Sequence, residues 1–126
     1  MTAWSCYVAL NRALMEVRFL AADVDDAVRG SSHLAEVHAR VVDAVIDLHR
    51  AHGDAKEVES WNEWRNFEGR GLERRGIVEY LLSFWVSLDS EELRLEALRS
   101  QLHPFIYGDD DLNGIYRELE DRSAGK

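Results

Sequence analysis

This chain is poor in the residues that staple, break or bend a fold. Its 126 residues include one cysteine, one proline and eight glycines. Cys6 alone cannot close a disulfide within the chain, so nothing implies an oxidising compartment, and a buried, inert thiol is the expected state. The longest apolar stretch, Ile77 to Leu88, is too short to span a bilayer and contains Glu79. The first residues lack a positive start, an apolar core and a small-residue cleavage site. A cytoplasmic protein with no membrane contact is therefore expected. Basic residues are also scarce: 15 Lys and Arg stand against 24 Asp and Glu, for a net charge of −9. Residues 77–126 hold 11 of the acids and only 5 of the bases. Phosphate affinity rests on Lys and Arg, so this balance argues against direct nucleic-acid binding. It suits a partner with a basic surface, or solubility alone.

What is present is helical periodicity. Tyr7, Leu10, Leu14, Val17, Ala21, Val24 and Val28 recur three and four residues apart, which predicts a first helix from Ala3 towards Val28. Trp4, Val8, Met15 and Phe19 form a second strip on it, so more than one neighbour should pack there. Spare seam positions could support a homodimer. Gly30, Ser31 and Ser32 break the run, and Ser31 or Ser32 is placed to cap a helix reaching His52. Leu34, Val37, Val41, Val45 and Leu48 are its inward positions, and Gly53 stops it. Asp54 and Glu57 form a capping-box pattern opening a short helix to about Phe67. A loop at Gly69–Gly71 precedes an apolar helix running to Leu88. Asp89 and Glu92 suggest a second capping box, and Pro104 ends the helix they open. Leu112, Ile115, Tyr116 and Leu119 fit one face of a last helix over residues 110–121. The expected fold is all-α: one bundle of five or six helices with short loops over residues 1–122, and a loose tail at 123–126.

Three clusters could carry chemistry. Asp109, Asp111, Asn113, Gly114 and Glu120 match the spacing of a calcium loop, with hard oxygen ligands at alternate positions and a distal Glu. Arg117 beside the would-be ion, the early stop at Pro104 and the helical face from Leu112 weigh against it. An Asp-rich helix start is also favoured by the helix dipole alone. His49 and His52, one turn apart with His38 on the same side, could chelate a transition metal, but no further ligands accompany them. Neither metal reading is preferred, and no cofactor is expected. The third cluster interleaves Trp61, Trp64 and Phe67 with Arg65, Arg70, Arg74 and Arg75. Aromatics with arginines make binding hot spots. The same residues could instead fill the end of the bundle, with Glu63, Glu68 and Glu73 pairing the arginines.

No phosphate loop, dinucleotide fingerprint, zinc-protease motif or nucleophile–base pattern is present. The preferred expectation is therefore a non-enzymatic binding protein. It would neutralise a larger protein by covering a basic surface, in the manner of immunity proteins, antitoxins or phage anti-defence proteins. Asp109, Asp110, Asp111, Glu118 and Asp121 would face the partner, with Trp61, Trp64, Arg65 and Phe67 as anchors. The alternatives are a calcium- or transition-metal-binding regulatory module, or a helical enzyme or enzyme subunit. The enzyme's site would be assembled from distant residues such as His103 and Tyr107.

Overall fold

A computed structural model describes residues 3–21 and 23–125, the side chains of Ala3 and Trp4 excepted. The fold is all-α. Seven helices occur among the described residues: α1 (Ala3–Met15), α2 (Asp26–Arg29), α3 (Ser32–Ala51), α4 (Ala55–Trp64), α5 (Gly71–Leu82), α6 (Glu91–Leu102) and α7 (Asp109–Ser123). A π-helical turn, Glu16–Leu20, extends α1, and a 3-10 turn, Trp85–Ser87, follows α5. The calcium-loop window and the last apolar face thus belong to one continuous helix, α7. No described helix is long and apolar enough to cross a membrane.

Local chemistry explains most boundaries. The Ser31 hydroxyl accepts the Leu34 N–H at 3.1 Å and opens α3. The Asp54 carboxylate accepts the Glu57 N–H and opens α4. At α6 the cap is Ser90, whose hydroxyl accepts the Leu93 N–H, and not the predicted Asp89. Ser123 belongs to the last turn of α7, so the predicted tail starts too early; Lys126 lies outside the described residues.

Two packing regions make the interior. Leu14 of α1 is buried, as are Ala35, Val41, Val42, Val45 and Ile46 of α3, against which α1 packs. The main core gathers Met15, Phe19, Phe67, Ile77, Leu81, Trp85, Leu98, Leu102, Ile115 and Leu119. Phe19 reaches across, its ring 5.4 Å from Phe105 and 6.3 Å from His38.

The predicted seam of the first helix is displaced. Tyr7, Leu10 and Val28 are exposed, as is Cys6, expected inside, whereas Asn11, Leu14, Met15, Arg18 and Phe19 are buried. The helix also stops being α-helical at Met15, and the chain turns extended at Ala21. The π turn widens the helix locally, and Arg18 and Phe19 both come to lie inside. Val37 likewise points outward on α3, and His38 is inside instead. The apolar helix predicted to reach Leu88 ends at Leu82. The chain turns there, and Trp85 is fully buried with its indole N–H donating to Glu120 at 3.1 Å, while Val86 is 71% exposed.

Gly76 lies inside α5 where that helix meets the π turn. A Cβ there would sit 2.6 Å from the Phe19 carbonyl oxygen, which is backbone and cannot rotate away. We expect Gly76→Ala to destabilise the fold by about 1–3 kcal/mol in urea unfolding, although alanine is the better helix former. An unchanged or raised midpoint would show that α5 and the π turn are not in close contact.

Candidate functional site

The most unusual chemistry of the structure is a buried polar cluster. Asn11 from α1, Arg18 from the π turn and His38 from α3 are all at most 6% exposed. One terminal nitrogen of the Arg18 guanidinium, Nη1, lies 2.9 Å from His38 Nδ1, and His38 Nε2 lies 2.7 Å from Asn11 Oδ1. A guanidinium only donates, so His38 Nδ1 must accept. The proton then sits on Nε2, which donates to the Asn11 oxygen, and the imidazole is neutral. Burial first, then the charges of Arg18 and Arg65, push the His38 pKa from 6.5 down to about 3.

Among the described residues no carboxylate answers Arg18. Its guanidinium instead donates to the His103 carbonyl at 2.6 Å and to the Ser100 and Gln101 carbonyls at 3.4 Å each. These belong to the end of α6, whose last carbonyls have no partner within their helix and carry the negative end of its dipole. The buried cation and the helix end satisfy each other. The match is incomplete: burial lowers the Arg18 pKa to about 10, and its Nε has no hydrogen-bond partner among the described residues. The sequence does carry a trace of this cluster, since Asn11 and Arg18 share the helical spacing of Leu14, Met15 and Phe19. A polar residue at such a position marks a buried network.

The outer face of this region is an open cleft of about 660 Å³ lined by Ser32, Glu36, Glu92, Glu96, Arg99, Ser100 and His103. The His103 pKa is lowered, first by partial burial and then by Arg18 and Arg65. Of the pair considered for an enzyme site, His103 lines this cleft and Tyr107 does not.

The aromatic–arginine segment is largely committed to packing. Phe67, expected as an anchor, is 3% exposed and belongs to the core, so it cannot contact a partner. Trp64 packs against the same core, and Trp61 meets it edge-on at 5.3 Å. Arg70 lies over the Trp64 and Phe105 rings at 4.6 and 4.5 Å, pairs with Glu73 and donates to the Trp64 carbonyl. Arg65 donates to the Pro104 carbonyl and to Asp43, both at 2.6 Å. An open hollow at Ser60, Trp61 and Trp64 lies on that side.

The predicted acidic residues divide into three groups. Asp109 and Asp110 are exposed at the start of α7, and Asp111 accepts the Gly108 N–H at 3.1 Å, capping the helix. Glu118 is held by Arg74 and Arg122. Asp121 is exposed three turns away from the first group. Two connecting segments, 65–70 and 103–108, meet at the start of α7. The Ile106 N–H donates to the Arg65 carbonyl and the Phe67 N–H to the Ile106 carbonyl, a short parallel bridge between Asn66 and Ile106. It sets Asn66 and Glu68 beside Asp109, Asp110 and Asp111 around an open hollow of about 450 Å³.

The metal patterns do not converge. Wound as one helix, Asp109 and Glu120 are separated by roughly 16 Å along the axis, too far to share an ion. Glu120 instead accepts from Arg94 at 2.8 Å and from Trp85. His49 is buried, whereas His52 is exposed with its Nδ1 2.8 Å from the Leu48 carbonyl oxygen. Among the described residues no three His, Cys, Asp or Glu side chains are grouped to hold a metal ion. No protein family, curated protein or solved structure matches the chain.

Two outcomes follow from the buried cluster. Arg18→Met should lower stability by about 2–4 kcal/mol, because carbonyls and an imidazole lose their donor in a dry site. Arg40→Ala, which removes an exposed i,i+4 pair with Glu36, should cost less than about 1 kcal/mol in the same assay. Equal losses would contradict the role given to Arg18. The second outcome concerns acid. Between pH 6.5 and about 3 the unfolded chain binds a proton at His38 that the folded chain refuses. Stability should therefore be full above 6.5 and fall as pH drops through this window, by up to about 1.4 kcal/mol per pH unit from this residue. His38→Gln should flatten the slope, and nitrogen NMR of the wild type should show Nδ1 unprotonated. A protonated Nδ1 at pH 7 would refute the assignment.

Proposed function

We propose that this chain is a non-enzymatic binding protein that neutralises a larger protein partner by covering a basic surface on it, as immunity proteins, antitoxins and phage anti-defence proteins do. The observation that carries this reading is the Asn66–Ile106 bridge. Sequence alone leaves the α4–α5 loop and the start of α7 as separate candidates; the bridge makes them neighbours. Glu68, Asp109 and Asp110 are exposed there and form no ion pair among the described residues. Ile106, 59% exposed, supplies an apolar contact at the same place. Carboxylates around an exposed apolar side chain suit lysines and arginines surrounding a small apolar patch. The half-buried Trp61 and Trp64 would extend the contact along α4. Phe67 takes no part, and Glu118 contributes little because two arginines already neutralise it.

Occlusion of this kind is driven by opposite charges and is sensitive to salt. The test is capture of a partner from the source cell with the full chain, followed by affinity measurements on the purified pair. We expect affinity to fall steadily as salt is raised. The double substitution Asp109→Lys, Asp110→Lys should weaken it by roughly tenfold or more. Affinity that ignores both salt and charge reversal would rule out this surface.

A further inference from the structure

A second surface differs from the rest of the molecule in charge. The chain has 24 acidic residues, yet α1 contains none, and Arg12 is its single charge. A surface helix normally turns charged residues to solvent. The outward face of α1 instead presents Cys6, Ala9, Leu10 and Ala13, all exposed, with Leu10 at 43%. Cys6, Ala9 and Ala13 follow one another at steps of three and four, the spacing of a helix-pairing seam, with Leu10 on one flank and Arg12 on the other. Ala9 and Ala13 are small enough to let a second helix approach closely. The inward face of α1 is already used: Asn11, Leu14 and Met15 are buried against α3 and the core.

We infer that the outward face of α1 is a self-association surface, and that its occupant is the α1 helix of a second copy of this chain in a two-fold, antiparallel pair. Charge selects this partner. Two copies of a molecule carrying −9 repel each other least along a helix with no carboxylate of its own, Glu16 lying just past its end. Orientation follows from the two charges beside the strip. Arg12 and Glu16 are both exposed, one turn apart and opposite in sign. When antiparallel helices cross near Ala13, Arg12 of each copy lies close to Glu16 of the other; in a parallel pair, like charges would face each other. A two-fold arrangement makes both contacts equivalent and closes the assembly at two chains. This surface is independent of the acidic one at the start of α7, so each can fail without the other.

The test is sedimentation equilibrium of the full chain across protein and salt concentration. A dimer is expected, and it should tighten with added salt as the remaining like charges are screened. Ala13→Glu and Ala13→Lys should each weaken dimerisation by roughly tenfold or more, since the substitution appears twice in the interface. An equimolar mixture of these two variants should recover association, because the introduced charges then oppose each other. Leu10→Gln provides a milder variant, and circular dichroism with thermal melting confirms that each variant remains folded. A wild-type chain that stays monomeric up to ~1 mM would overturn the proposal. So would a dimer that Ala13→Glu, Ala13→Lys and Leu10→Gln all leave unchanged.

Discussion

A buried cation held by carbonyls governs this structure. Arg18 is taken out of water with no carboxylate beside it among the described residues, and the last carbonyls of α6 take the place of one. The exchange is mutual. A buried helix end needs donors, and a buried guanidinium needs acceptors. Because the guanidinium can only donate, it also dictates the state of its neighbour: His38 must be neutral, with its proton directed at Asn11. One side chain thus ties α1, α3 and the end of α6 into a single polar layer between the α1–α3 packing and the main aromatic core. The π turn belongs to the same arrangement, since it is there that Arg18 and Phe19 are both buried.

Elsewhere arginine is used in the same structural way. Arg70 stacks over Trp64 and Phe105, Arg65 fastens α4 to the Pro104 carbonyl, and Arg29 reaches the carbonyls of Ala21 and Gly76. A planar group with five donors can serve several carbonyls at once, which lysine cannot do. With so many arginines directed at backbone or paired with glutamates, the acidic excess is left on the outside. It is not spread evenly. The start of α7 and the α4–α5 loop concentrate it around Ile106, whereas α1 has none. The two functional proposals rest on these extremes: opposite charge attracts at one surface, and the absence of like charge permits contact at the other.

Much of the helical frame was legible in the sequence because the signals were local. Ser31 and Asp54 cap as their spacing indicates, and Leu112, Ile115 and Leu119 share one buried face. The errors share a cause. Tyr7 and Leu10 fit an apolar period as well as Leu14 does, yet are exposed; the buried side of α1 centres on Asn11, Leu14 and Met15. Ser90 displaced Asp89 as a cap by one position. Phe67 looked like a docking residue because its neighbours are arginines, but those arginines turn inward to carbonyls and rings. The run to Leu88 read as one helix, although the burial of Trp85 against α7 accompanies a turn at Ser83.

The amino-acid order by itself determined the all-α class, most helix starts, the acidic balance and the lack of motifs for familiar catalysis. Each of these depends on residues within a turn or two of one another, or on simple totals. Tertiary structure alone decided which face of α1 is buried, that Arg18 and His38 form the inner polar layer, and that Asn66 lies beside Ile106. Such choices depend on satisfying buried donors and acceptors drawn from distant parts of the chain, and periodicity contains no information about which helix end will be the one to accept.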